Sequence, residues 1–226
     1  MKGVMKNQTV EKLWNVMICL GLGGLVLLFS VLFSMFLWAA QGNNSHNCSV
    51  IEIFAMCFFS LFASFVMLRL SESLKLFSFD LKFFSKKNGR ILFLCTLLML
   101  TLLFAEIVLM NQHLISDKTM NPLAAQVFTN VPPLIMVLFS FVFAPIMEEV
   151  VFRGGIIGLV FNDHLLLGVC MSSLIYCLLV RPENIFDWLL CFATNAVLGI
   201  SYAKTKRLEV PIIIKMIAVL FIALSI

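Results

Sequence analysis

The sequence predicts an all-α protein that passes through a lipid bilayer about seven times, and three observations carry that reading. First, 62% of the 226 residues are hydrophobic, only 12% are charged, and mean hydropathy is +1.05. A water-soluble domain has about 45–50% apolar and about 25% charged residues, so the charge that a solvated surface needs is missing. Second, the apolar residues fall in runs close to the ~20 residues a helix needs to cross the hydrocarbon core. Third, the loops between those runs alternate between basic and nearly charge-free. Together these exclude a soluble enzyme, a disordered regulator and a typical nucleic-acid binder.

The runs, taken in order, are 16–40, 50–70, 91–110, 131–160, 164–180, 186–203 and 209–226. The first is long and precedes no small-residue cleavage site, so it is expected to be a retained span, not a removed signal peptide. Between the second and third, residues 70–87 place Leu70, Leu74, Phe77, Leu81 and Phe84 on one helical face. The charged residues lie elsewhere, which predicts a helix lying in the membrane interface. The fourth run is too long for one straight crossing. Pro132 and Pro133 are placed to open it and Pro145 to kink it, leaving one tilted helix or a broken pair as open readings.

Positive charge orients the chain. Lys2, Lys6 and Lys12 precede the first span. Arg69, Lys75, Lys82, Lys86, Lys87 and Arg90 flank the loop after the second, and Lys204, Lys206 and Arg207 follow the sixth. The intervening loops hold none in 41–49, Lys118 in the next and Arg181 in the last. Seven spans with a cytoplasmic N-terminus satisfy every loop. The net charge of +4 then reads as a topology signal matched to anionic lipid in a cell membrane, and a bacterial plasma membrane is the expected setting. Cys19, Cys48, Cys57, Cys95, Cys170, Cys177 and Cys191 show no metal-ligand spacing. All but Cys48 lie in apolar runs and read as small buried hydrophobes.

An ionisable side chain within a span costs about 2.5–3.5 kcal/mol on insertion scales, so each one requires a reason. Glu52, Glu106 and Asp187 lie towards span ends, where headgroup water is within reach. Glu148, Glu149 and Arg153 sit together in an otherwise apolar helix. Glu149 and Arg153, four residues apart, share a face and are expected to pair. Glu148 points about 100° away with no local partner, and an unpaired carboxylate in a low dielectric is suited to general acid–base work. Lys215 lies about 9 Å into the last span at 1.5 Å per residue. Its ammonium is within snorkelling range of cytoplasmic water.

The run Glu148-Glu149-Val150-Val151-Phe152-Arg153-Gly154 resembles the first motif, Glu-Glu-x-x-x-Arg, of the CPBP family of CAAX proteases and bacteriocin-processing proteins, also called Abi. The resemblance covers about residues 126–226 and includes Ser172-Ser173-Leu174-Ile175-Tyr176, the stretch from Phe192 to Gly199, and Val210-Pro211-Ile212-Ile213. It divides the chain into N-terminal spans with a basic interfacial loop, 1–125, and a CPBP-like membrane domain, 126–226. The resemblance implies intramembrane peptide cleavage, with Glu148 activating a water and Glu149 and Arg153 beside it. Two further motifs, Phe-x-x-x-His and His-x-x-x-Asn, would orient that water and stabilise the oxyanion.

Those two motifs are degenerate here. The second runs from Tyr176 to Val180, with valine at the histidine position. The third runs from Lys215 to Val219, with lysine for histidine and valine for asparagine. The resemblance implies that this slot faces the glutamates, so the Lys215 ammonium either pairs with Glu148 or snorkels to cytoplasmic water, and both readings stand. His46, His113 and His164, the only histidines, fall on no motif position, and His164 reads as a solvated loop residue. No metal site can be assembled from the remaining residues, and no cofactor is expected. Without imidazole the proton chemistry and the oxyanion donors are lost. The sequence therefore predicts a non-cleaving pseudoprotease that binds a membrane protein or peptide, as in bacteriocin immunity or regulation of a signalling or cell-envelope protein. An active endopeptidase using Glu148 is the alternative. A transporter is disfavoured, because no matched pair of Gly/Pro-broken helices is present.

Overall fold

A computed structural model describes residues 2–41, 49–76, 85–112 and 132–225. All seven runs are helices: α1 Lys2–Gln41, α2 Val50–Ser73, α3 Lys86–Asn111, α4 Pro133–Val160, α5 Leu165–Val180, α6 Ile185–Thr205 and α7 Glu209–Ser225. No strand occurs among the described residues. Five of the seven are long and apolar enough to cross a membrane, α5 and α7 being shorter. At about 1.5 Å per residue these two, of 16 and 17 residues, reach about 24–26 Å. The chain is a multi-pass membrane protein, and large apolar side chains such as Leu20, Phe54, Phe93 and Leu166 project outward where lipid would lie.

Two boundary expectations change. Helix α1 starts at Lys2, ahead of the apolar run, because nothing in 2–15 breaks a helix and the polar first turns need no membrane. The interfacial helix expected over 70–87 is not separate at its described ends. Residues 70–73 complete α2, Lys75 turns the chain in the left-handed region at φ 58, and Lys86 begins α3. The middle, 77–84, lies outside the described residues.

Helix α4 settles the choice between one helix and two. It is continuous from Pro133, at its first turn, to Val160, and it absorbs its excess length by widening. Residues Phe139–Phe143 and Val150–Val160 are π-helical. The first wide turn ends just before Pro145, which has no N–H to continue the ladder. The second starts directly after the glutamate pair, where π-turns are often found at functional positions. Neighbouring side chains supply donors along that stretch: Ser172 Oγ to the Phe152 carbonyl at 2.9 Å and Asn15 Nδ2 to the Leu159 carbonyl at 3.1 Å. In lipid such interhelical bonds contribute about 0.6 kcal/mol each on average.

Glycines let the other helices close on α4. A methyl group at Gly155 would meet Cys19 Sγ of α1 at 2.9 Å, and one at Gly158 would collide with the Tyr202 hydroxyl of α6. The central core accordingly joins Leu22, Ala63, Met67, Phe143, Met147, Val150, Ile157, Val169 and Tyr202 from α1, α2, α4, α5 and α6. A second core packs α3, α6 and α7 through Met99, Leu103, Val197, Leu198 and Ile214. At the opposite end of α1, Phe33 stacks on Phe139 and Phe143. The start of α1 and the α4–α5 and α6–α7 loops share one end of the bundle. There Lys12 lies 3.5 Å from Asp163 and Lys206 Nζ 3.4 Å from Asn162 Oδ1. This is the face whose basic residues predict a cytoplasmic location.

Candidate functional site

The residues singled out at span ends behave as local structure. Glu52 closes a capping box with Ser49 at the start of α2. Asp187 lies in the first turn of α6, its backbone N–H bonded to Asn184 Oδ1 at 2.9 Å, and Glu106 is half-buried in α3. His164 is exposed just ahead of α5. His46 and His113 lie outside the described residues.

The mid-span charges converge. Glu149 and Arg153, one turn apart on α4, are buried to 0% and 1% side-chain exposure, with Glu149 Oε2 3.1 Å from Arg153 Nε. That is an ion-pair distance, although neither atom makes an aligned hydrogen bond. The guanidinium is fixed instead by α6. Arg153 Nη2 donates to Asn195 Oδ1 at 2.8 Å and to the Asn195 carbonyl at 3.0 Å. The amide orientation is consistent, since Asn195 Nδ2 donates in turn to the Cys191 carbonyl at 2.9 Å.

Glu148 faces the other way, as its 100° offset requires, and meets α5 and α7. Lys215 Nζ pairs with Glu148 Oε2 and lies 3.5 Å from Glu149 Oε1. The Lys215 ammonium also stands 5.3 Å from the Tyr176 ring centroid, within cation–π range, and Tyr176 packs edge-on against Phe152. Of the two readings of Lys215, the geometry takes pairing over snorkelling. Glu148 keeps 30% of its side chain exposed and Lys215 15%, so this part forms a rim above the sealed Glu149–Arg153–Asn195 floor.

Two acids and two bases make the quartet formally neutral, and this is the condition under which buried charges are tolerated. Tyr176 and Lys215 thus come together at Glu148. Val180 and Val219, each four residues further along the same helix, bring no polar atom. Val180 is 56% exposed at the last residue of α5, and Val219 is half-buried. Asn195 was not among the candidates from sequence. A search limited to ionisable residues passes over it, whereas an amide deep in an apolar span was the available signal. Among the described residues no group of three or more metal-ligating side chains assembles.

Fold and cluster define a class: a polytopic helical membrane protein built around a Glu-Glu-x-x-x-Arg centre. Comparison with known proteins makes it more specific. Residues 130–221 match the family described as Rce1-like, Type II CAAX prenyl endopeptidase Rce1-like. The membrane-embedded CAAX protease MroQ of Staphylococcus aureus (strain USA300) is 34% identical over 91 residues, covering 37% of this chain and 36% of that protein. The matched region thus spans about a third of that relative. No solved structure matches. Residues 130–221 are thus similar to CAAX-protease-like membrane proteins, in line with the resemblance carried by the first motif.

Proposed function

We propose that this protein is a non-cleaving member of the CAAX-protease type, which binds a membrane protein or peptide without cutting it. In this reading residues 126–226 are the functional domain and 1–125 the supporting spans. One observation carries the proposal: Lys215 stands where the resemblance implies a histidine, and its ammonium is paired with Glu148. A histidine there would leave the two glutamates and Arg153 with a net negative charge and a carboxylate free to take a proton from water. A lysine neutralises that charge and occupies the acceptor. With valines at 180 and 219, the donors for a tetrahedral oxyanion are missing as well, and such donors usually supply the largest catalytic contribution.

The 30% exposure of Glu148 favours a second reading, an endopeptidase in which Glu148 is the base and Lys215 and Tyr176 have altered roles. One experiment separates the two. The full chain in nanodiscs is incubated with a fluorescent prenylated peptide ending in a CAAX sequence, and both anisotropy and peptide mass are followed. The expected result is binding with the peptide intact, in the original chain and in Glu148→Ala alike. Cleavage that disappears in Glu148→Ala overturns the proposal and establishes the endopeptidase. The combined Val180→His, Lys215→His and Val219→Asn variant is expected to gain cleavage that the original chain lacks.

A further inference from the structure

The contact between α5 and α6 includes two thiols that the charge cluster does not use. Cys177 and Cys191 bring their Sγ atoms to 2.8 Å. Both are free thiols. That separation is shorter than ordinary non-bonded contact and approaches the S–S bond length of about 2.05 Å. Cys177 is buried and Cys191 half-buried, so Cys191 is the more accessible residue of the pair. Of the remaining described cysteines, Cys19, Cys57 and Cys95 are half-buried and Cys170 is exposed. Among the described residues none of them has a sulfur partner.

We propose that Cys177 and Cys191 form a redox modification site, a dithiol that closes to a disulfide when a membrane-soluble two-electron acceptor reaches it. The Cys191 sulfur adds to the acceptor, and the Cys177 sulfur then displaces it. Two S–H bonds break and one S–S bond forms. The two protons and two electrons pass to the acceptor: a quinone becomes a hydroquinone, or the N=N bond of diamide becomes HN–NH. The crosslink ties together the two helices that carry the partners of the charge cluster. Tyr176 directly precedes Cys177, and the Asn195 amide donates to the Cys191 carbonyl with its nitrogen 4.0 Å from the Cys191 sulfur. Oxidation therefore fixes Asn195, which holds Arg153, relative to Tyr176, whose ring stands beside Lys215.

The test uses the full chain in nanodiscs treated with diamide, then denatured and labelled with a maleimide. The reduced protein carries seven cysteines, and its intact mass should show seven labels. After oxidation the monomer should carry two fewer, peptide mapping should recover a fragment linking Cys177 to Cys191, and dithiothreitol should restore all seven. Cys177→Ser and Cys191→Ser should each abolish the loss. Retention of all seven labels after diamide overturns the proposal. So does a linked fragment that joins other cysteines, and this second readout needs only the unaltered chain.

Discussion

The floor and the rim of the charge cluster use the same chemistry in different surroundings. In the floor, Glu149 and Arg153 have lost all contact with solvent, and Asn195 of α6 holds the guanidinium by two hydrogen bonds. In the rim, Glu148 and Lys215 pair across α4 and α7 with 30% and 15% of their side chains still exposed. A sealed charge depends wholly on its partner, since removing that partner leaves the full desolvation cost uncompensated. A rim charge regains some of its solvation. The floor is thus a structural requirement of the bundle, and the rim is where the chain has room to choose between chemistry and binding.

That contrast orders the expected effects of substitution. Arg153→Met leaves the buried Glu149 with only the longer 3.5 Å contact to Lys215 and should destabilise the fold by about 3–5 kcal/mol, seen as loss of the monodisperse peak in fluorescence-detected size exclusion. Asn195→Ala keeps the ion pair and the bond to the backbone carbonyl but removes the Oδ1 hydrogen bond to the charged guanidinium, at a cost of about 1.5–3 kcal/mol, seen as a lower melting temperature. Lys215→Met should cost about 1–2 kcal/mol, less than the buried-pair figure because the rim is partly solvated. Tyr176→Leu removes the ring beside the Lys215 ammonium and should cost about 0.5–1 kcal/mol. If Lys215→Met proves as damaging as Arg153→Met, the rim is as sealed as the floor and the comparison fails.

The helices and most of the cluster were legible in the sequence because lipid imposes two simple rules. An apolar run must be helical to satisfy its backbone, and a charge within it must have a partner. Those rules located all seven helices and the Glu149–Arg153 pair, whereas Lys215 as a partner for Glu148 rested on the family resemblance and stood level with snorkelling. Other features escaped them. The second π-stretch of α4 accepts from Ser172 and Asn15, which lie on other helices and leave no periodic trace along α4 itself. Asn195 carries no charge and so gave no charge signal. Cys177 and Cys191 read as inert hydrophobes singly, and only the packing of α5 on α6 makes them neighbours. Residues 70–73 carry the apolar pattern of an interfacial helix yet extend α2, since periodicity does not show where a helix ends.

The central claim is that Lys215 holds Glu148 in a neutral quartet. A double-mutant cycle tests it most directly, with unfolding free energies measured for the original chain, Lys215→Met, Glu148→Gln and the double variant in one detergent. The account predicts that the double variant is more stable than the sum of the single losses implies, with a coupling of about 1 kcal/mol or more. Effects that add to within about 0.5 kcal/mol would contradict it.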